Sequence, residues 1–188
     1  MTHAPMTAVT RESLDTFVIE VLLAMGLPEE EANIFGGALV FSELRFHPGH
    51  GQGVKKLRKY GDRFSKGLID PTAPFEVLKE SPALALVDAH NGIGTVAATR
   101  AMRLAIEKAK VCGIGQVVVR NSTHFGSSAA HACLGPDAGC LGIALTNAGP
   151  EMAPWGGREG VVGTNPWGIA VPTGLGFPAV LDIALTTA

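Results

Sequence analysis

The sequence predicts an α/β protein with a helical N-terminal segment, and three observations support this fold class. Up to Asp70, apolar residues recur at the three- and four-residue spacing of helices. After Asp70-Pro71, short β-type runs alternate with turns rich in Gly and Pro. The valines at 117–119 form a continuous apolar run, as in a strand buried on both faces. We therefore expect helices over residues 1–70 and a mixed sheet with flanking helices over residues 71–188.

Three helices are predicted in the N-terminal segment. Thr10 is a favourable N-cap for the first helix, and Gly26 ends it. Pro28, at a first helical position, begins the second helix, which ends near Arg45. The third follows a loop rich in Gly, Pro and His and is closed by Gly67. The first helix is expected to turn one apolar face inward, formed by Leu14, Phe17, Val18, Val21, Leu22 and Met25.

The second part is predicted to combine strands with one long helix. Strands are expected at residues 75–78, 83–87, 117–119, 141–146, 168–171 and 179–183. The long helix runs from Ile93 to Cys112, and Gly113 caps it. An Ala-rich short helix over 127–133 is expected to connect the strands at 117–119 and 141–146, because a parallel pair needs a crossover.

Composition and spacing exclude several classes of function. With 15 Lys and Arg against 17 Asp and Glu, the net charge is −2, and no basic stripe suits nucleic acid. No apolar run approaches the roughly 20 residues that cross a bilayer, so no membrane partner is expected. The three cysteines form no CxxC pair, which favours reduced thiols in a cytoplasmic protein. The His and Cys spacing indicates no metal site.

A glycine motif after the second predicted strand has two interpretations. Gly92-Ile93-Gly94-Thr95-Val96-Ala97 fits the GxGxxA form of the dinucleotide fingerprint at the start of a helix. Against a Rossmann site, the next strand ends in Arg120, where an NAD site would place an acid. The alternative is a turn whose glycines let a helix pack closely on a sheet.

Histidines in loops are the main candidates for chemistry. His124 follows a strand of buried type. It therefore lies at the carboxyl end of a strand, which is where ligands bind in open α/β folds. His47 and His50 flank Pro48-Gly49, in a loop that can bring an imidazole to an anionic substrate. His131 is expected to be a half-buried helix residue. The irregular stretch over 146–166 is long enough to be a binding loop.

The motifs, taken in order, resemble the malate/L-lactate dehydrogenase-type oxidoreductases. They are Leu44-Arg45, Gly53-Val54-x-Lys56-Leu57-x-x-Tyr60, Val87-Asp88, Asn121-Ser122-x-His124-Phe125-Gly126, Met152-Ala153-Pro154-Trp155-Gly156-Gly157, Gly163-Thr164-Asn165-Pro166 and Leu181-Asp182-Ile183-Ala184. The resemblance implies a non-Rossmann fold that binds NAD or NADP. It also implies hydride transfer between this cofactor and a small 2-oxo or 2-hydroxy acid, or a related imine, in a homodimer.

The resemblance also suggests individual site residues. His124 matches the family's active-site histidine, and Thr164 matches a substrate-contacting threonine. The positions matching cofactor contacts are His124, Phe125, Gly126, Ser127, Ser128, Asp182, Ile183 and Ala184.

The early motif departs from the family pattern. Gln52 stands where the family has its acid/base histidine, and Lys56 replaces a carboxylate-binding arginine, keeping the charge but losing the bidentate fork. We expect Gln52 and Lys56 to line the substrate site and either His50 or His47 to take over the proton transfer.

Family members continue well beyond the Leu181-Asp182-Ile183-Ala184 strand. We therefore expect this chain to lack a C-terminal part of the family fold. The alternative to an active dehydrogenase is a truncated, catalytically silent remnant that serves as a subunit-interaction module.

Overall fold

The computed structural model describes residues 8–45 and 53–184, and the chain divides into two compact units, Met1–Thr72 and Ala73–Ala188. The described part of the first unit contains the helices α1 (Arg11–Ala24), α2 (Glu29–Leu44) and α3 (Lys56–Ser65). Each begins and ends within about two residues of its expected position.

The caps of α1 and α2 follow from their flanking residues. The Thr10 side chain accepts a hydrogen bond from the Ser13 N–H at 3.2 Å, and Gly26 leaves α1 with a φ of +89°. Pro28 is the N-cap of α2 rather than its first helical residue. The expected inward position of Phe17 is wrong: its side chain is 53% exposed, because Val18 and Leu22 form the buried stripe of α1.

The second unit begins with a sheet of β1 (Glu76–Glu80), β2 (Leu84–Gly92) and β3 (Gln116–Ser122), in that order. β1 and β2 are antiparallel, whereas β2 and β3 are parallel and are joined by the crossover helix α4 (Gly94–Cys112). Gly113, with a φ of +80°, ends α4 through a 2.7 Å bond from its N–H to the Ala109 carbonyl.

A separate antiparallel sheet contains β4 (Gly142–Leu145), β5 (Trp167–Val171) and β6 (Ala179–Ile183). The helices α5 (Ser128–Ala132) and α6 (Leu134–Asp137) precede it and pack on it. The expected parallel pairing of the strands that became β3 and β4 is therefore wrong. The short helices do not return the chain to the first sheet; they lie against β4, whose partner is β5, in antiparallel register.

The two faces of the second sheet differ in side-chain size. On the inner face, β4 and β5 carry Gly and Ala, so that α5 approaches closely: a Cβ at Gly168 would lie 2.8 Å from the Ser128 Cβ, and one at Gly142 would lie 2.0 Å from the Ala132 carbonyl oxygen. The strand register places only apolar residues on the opposite, outer face, namely Ile143, Leu145, Trp167, Ile169, Val171, Ala179, Leu181 and Ile183.

Candidate functional site around His124

The His124 loop is attached to the end of β2 and the start of α4. The Thr123 hydroxyl donates to the Gly92 carbonyl at 2.8 Å and accepts from the Gly94 N–H at 3.1 Å. A Cβ at Gly94 would lie 2.0 Å from the Thr123 carbonyl oxygen and 2.7 Å from the His124 carbonyl. The side of Gly94 that a fingerprint glycine would offer to a pyrophosphate is thus covered by protein backbone. Gly94 therefore serves close packing, as in the alternative interpretation of this motif.

The His124 ring is exposed, and one of its nitrogens has a defined role. Nδ1 accepts a hydrogen bond from the Gly126 N–H at 3.1 Å. Since an accepting nitrogen carries no proton, the neutral imidazole of His124 is protonated on Nε2. Gly126 has a φ of +85°, a conformation that favours glycine and turns its N–H back to the ring.

Asp182 connects β6 to the start of α5. Its Oδ2 accepts from the Ser127 hydroxyl at 2.7 Å and from the Ala129 N–H at 2.9 Å. Ser127 is the N-cap residue of α5, but its hydroxyl makes no cap bond and is bonded to Asp182 instead. The Asp182 carboxylate satisfies a backbone donor at the helix start. Two of the expected cofactor residues, 55 positions apart, are thus in direct contact.

The remaining expected positions have different surroundings. Ser128 is 1% exposed, and its hydroxyl has no hydrogen-bond partner among the described residues. Ile183 and Ala184 lie half-buried at the end of β6. Thr164 is half-buried in the loop between β4 and β5, next to Asn165, whose Oδ1 accepts from the Ala148 N–H at 3.0 Å and closes that loop.

The other candidates belong to the first unit. Lys56 is the first residue of α3; partial burial, together with the charges of Lys59 and Arg63, lowers the pKa of its ammonium. His47, His50 and Gln52 lie outside the described residues. Their roles stay predictions.

His131 is a buried residue beside the His124 loop whose contacts sequence reasoning missed. It is 1% exposed rather than half-buried, its Nε2 lies 2.7 Å from the Phe125 carbonyl oxygen, and its Nδ1 lies 3.2 Å from the Thr99 hydroxyl. The rings of His131 and Phe125 stack, with centroids 5.2 Å apart. The sequence signal for this residue was a single histidine in an Ala-rich helix. Its hydrogen-bond partners could not be predicted from that signal, because Thr99 belongs to a distant helix and Phe125 to a loop.

Asp88 is a second buried polar centre, in the middle of β2 opposite Arg120 of β3. It accepts from the His90 N–H at 2.9 Å, from Arg120 at 2.8 Å and from Asn121 at 2.9 Å. The bond from the His90 backbone, followed by those from Arg120 and Asn121, lowers the pKa of the Asp88 carboxyl in spite of its burial. Arg120 is thus engaged by Asp88.

An open cleft of about 440 Å³ lies next to this network and is lined by His90, Asn91, Asn121 and Ser122. The first three have positive φ values of 46°, 62° and 52°. Among the described His, Cys, Asp and Glu side chains, no group of three could hold a metal ion. The described helices include none with the length and apolarity to span a bilayer.

Comparison with known proteins identifies the family. The family model for malate/L-lactate dehydrogenase matches residues 9–188. The chain is 41% identical over 176 residues to malate dehydrogenase of Pyrococcus abyssi, which covers 94% of this chain and 48% of that protein. It is 40% identical over 159 residues to L-sulfolactate dehydrogenase of Methanocaldococcus jannaschii, covering 85% of this chain and 46% of that one.

Solved structures agree with these sequence relations. The crystal structure of malate dehydrogenase from Entamoeba histolytica superposes with a TM-score of 0.92 at 38% identity, over 97% of this chain and 50% of that one. The chain spans about half the length of the relatives it matches. The mixed α/β fold is therefore the fold of these dehydrogenases, and the chain belongs to the malate/L-lactate dehydrogenase family.

Proposed function

We propose that this chain takes part in NAD(P)-dependent interconversion of a small 2-hydroxy acid and its 2-oxo acid, or of a related imine and amine. The observation that carries the proposal is the His124 loop. Its exposed imidazole has a defined tautomer and directly follows β3, which is paired in parallel with β2. In open α/β sheets, ligands bind at the carboxyl ends of such strands. The names of the relatives support a 2-hydroxy acid as the substrate class.

The described residues fit a nicotinamide cofactor in part. When bound, the cofactor supplies or accepts a hydride at C4 of its nicotinamide ring. His124, Phe125 and Gly126 form the accessible part of the loop. Asp182 and Ser127 bind each other, so in this arrangement they hold the loop at α5 and their contribution to cofactor binding is indirect.

The substrate contacts and the proton are assigned to Lys56, Gln52 and a histidine. Lys56 would bind the substrate carboxylate, and Gln52 would hydrogen-bond the substrate. An imidazole of His50 or His47 would donate a proton to the carbonyl oxygen as the hydride adds to the carbonyl carbon. These roles rest on the family resemblance and on the substitution of the usual histidine by Gln52.

Steady-state reduction of oxaloacetate, sulfopyruvate and pyruvate, with NADH and with NADPH, tests this function. We expect activity on at least one of these acids and a fall of about 100-fold or more in kcat/KM when His47 and His50 are both replaced by Ala. His3→Ala is the matched control and should leave the rate unchanged. An unchanged rate in the double variant would remove both histidines from the mechanism.

A second function is favoured by the outer face of the β4–β6 sheet. Leu145 is 68% exposed and Ile143 is 48% exposed on a face where every residue is apolar, and contiguous exposed apolar patches mark interaction sites. We propose that this face binds polypeptide equivalent to the half of the relatives that the chain does not match. The chain would then be a subunit-interaction module, with or without activity of its own.

Analytical ultracentrifugation tests the second function. The chain is mixed with the part of the Pyrococcus abyssi enzyme outside the segment that it matches. We expect a one-to-one complex, and we expect the double variant Ile143→Lys/Leu145→Lys to lose it. The control variant Val111→Lys should still form the complex, because Val111 is an exposed residue of α4, outside the β4–β6 sheet. Self-association of the chain alone, lost in the same double variant, would assign the face to a homodimer instead. A chain that stays monomeric and binds nothing would refute this function.

The cellular location is proposed from the cysteines. Cys112 and Cys140 are thiols and not disulfides, which suits the reducing cytoplasm.

A further inference from the structure

A single peptide group lies between two histidine rings at the candidate site. The carbonyl of the Phe125–Gly126 peptide meets His131 Nε2 at 2.7 Å, and the N–H of the same peptide donates to His124 Nδ1 at 3.1 Å. Because the C=O and N–H of one peptide point in opposite directions, fixing the carbonyl also fixes the N–H.

The protonation of His131 follows from its partners. The Phe125 carbonyl can only accept, so Nε2 of His131 carries a proton and donates. Burial lowers the pKa of His131, and the opposing effects of the Phe125 carbonyl and the Asp182 carboxylate are smaller, so the ring is neutral. Its Nδ1 is then an acceptor, and the Thr99 hydroxyl donates to it.

We propose that His131 is a positioning residue for His124: it holds the Phe125–Gly126 peptide in one orientation, and this peptide holds His124 in its Nε2-protonated tautomer. The importance of that tautomer for catalysis rests on the proposed function, whereas the positioning itself does not. The series Thr99, His131, peptide and His124 links a buried helix residue of α4 to an exposed imidazole.

Without His131, the Phe125 carbonyl would be left without its buried donor, and the peptide would be able to rotate toward water. A rotated peptide no longer directs its N–H at His124, so Nδ1 could carry the proton. A phenyl ring at position 131 can still stack on Phe125 but cannot donate to its carbonyl. His131→Phe therefore removes the hydrogen bond and keeps the stacking.

The test uses the full chain with ¹⁵N-labelled histidine, and long-range ¹H–¹⁵N spectra at about pH 8, above the usual histidine pKa of about 6.5. We expect the Nε2-protonated tautomer of His124 in the wild type and averaged ring-nitrogen shifts, showing both tautomers, in His131→Phe. His131→Gln is the matched control: its side-chain amide can still donate to the Phe125 carbonyl, and it should restore the single tautomer.

Thr99→Val provides a second variant if His131→Phe does not fold. It removes the hydroxyl that donates to His131 Nδ1, so that the His131 ring can turn away from the Phe125 carbonyl, and it should also give averaged shifts for His124. A single Nε2-protonated His124 in folded His131→Phe, or in Thr99→Val where His131→Phe does not fold, would overturn the proposal.

Activity separates this inference from the proposed function. In an active chain, His131→Phe should lower kcat by about tenfold or more, and His131→Gln should recover most of it. A wild-type chain that reduces none of the acids contradicts the proposed function, while the spectra still decide the role of His131.

Discussion

Replacing Gly94 by Ala tests whether the turn after β2 sets the position of the His124 loop. The new Cβ would lie 2.0 Å from the Thr123 carbonyl oxygen, whereas Cβ atoms essentially never approach a heavy atom closer than 3.0 Å. The loop or the first turn of α4 must therefore move by at least 1.0 Å, the difference between 3.0 and 2.0 Å. Since the neighbours are backbone atoms, no side-chain rotation can relieve the contact.

The expected effect on stability is the difference of two contributions. Overpacking of this kind costs roughly 1–3 kcal/mol. Ala in a helix gains about 0.5–1 kcal/mol over Gly. We expect a net loss of about 0–2.5 kcal/mol in the free energy of unfolding relative to the wild type. A displacement of about 1 Å at a reacting group can lower kcat/KM by about 100-fold, so activity should fall more than stability suggests.

Urea denaturation and steady-state kinetics measure both effects. Gly37→Ala is the matched control, because Gly37 lies within α2 and a Cβ there meets nothing within 4 Å. This control should be stabilised by about 0.5–1 kcal/mol. The reasoning is refuted if Gly94→Ala is as stable as Gly37→Ala and keeps the wild-type kcat/KM.

Three further predictions concern polar groups of the second unit. Ser128→Ala removes a buried hydroxyl without a partner among the described residues, so the free energy of unfolding should stay equal or rise by up to about 1–2 kcal/mol; a loss above 1 kcal/mol in urea denaturation would show an unrecognised partner. Asp182→Ala removes two hydrogen bonds at the start of α5 and should lower the melting temperature clearly more than Asp182→Asn, which keeps an acceptor oxygen; equal losses would contradict this contribution. The folded-state pKa of Asp88 lies below its unfolded value of 3.8, so its contribution is fully present above that value and is lost as the pH falls through the lowered pKa. Urea denaturation at pH 7 and about pH 3 should therefore show a smaller pH-dependent loss in Asp88→Asn than in the wild type, and an identical loss would refute the linkage.

Local signals predicted most helices and strands. Thr10, Gly26 and Gly113 act on neighbouring residues, so their effects could be inferred from the sequence beside them. The assignment of β4 to a second sheet could not, because it depends on small residues at 142 and 168 that let α5 approach, a contact between distant parts of the chain. The residue pattern of a strand predicts that the strand forms, but it does not determine which other strand it pairs with.

For the candidate site too, the sequence predicted where residues lie along the chain and not the contacts that they make. The position of His124 after the predicted strand at 117–119 indicated the loop, and the family resemblance indicated Asp182. The expected burial of that strand on both faces is wrong, since Val118 is 51% exposed. The tautomer of His124 and the role of His131 depend on one peptide orientation, which no residue pattern encodes. Likewise, the contact between Asp182 and Ser127 joins residues that only the folded chain brings together.

Calorimetric titration of the chain with NADH and with NADPH tests the central claim most directly. The account predicts saturable one-to-one binding of at least one cofactor with a dissociation constant below about 1 mM, weakened by about tenfold or more in Gly94→Ala and retained in Gly37→Ala. Absence of binding by both cofactors at millimolar concentration, in a chain that melts cooperatively, would contradict it.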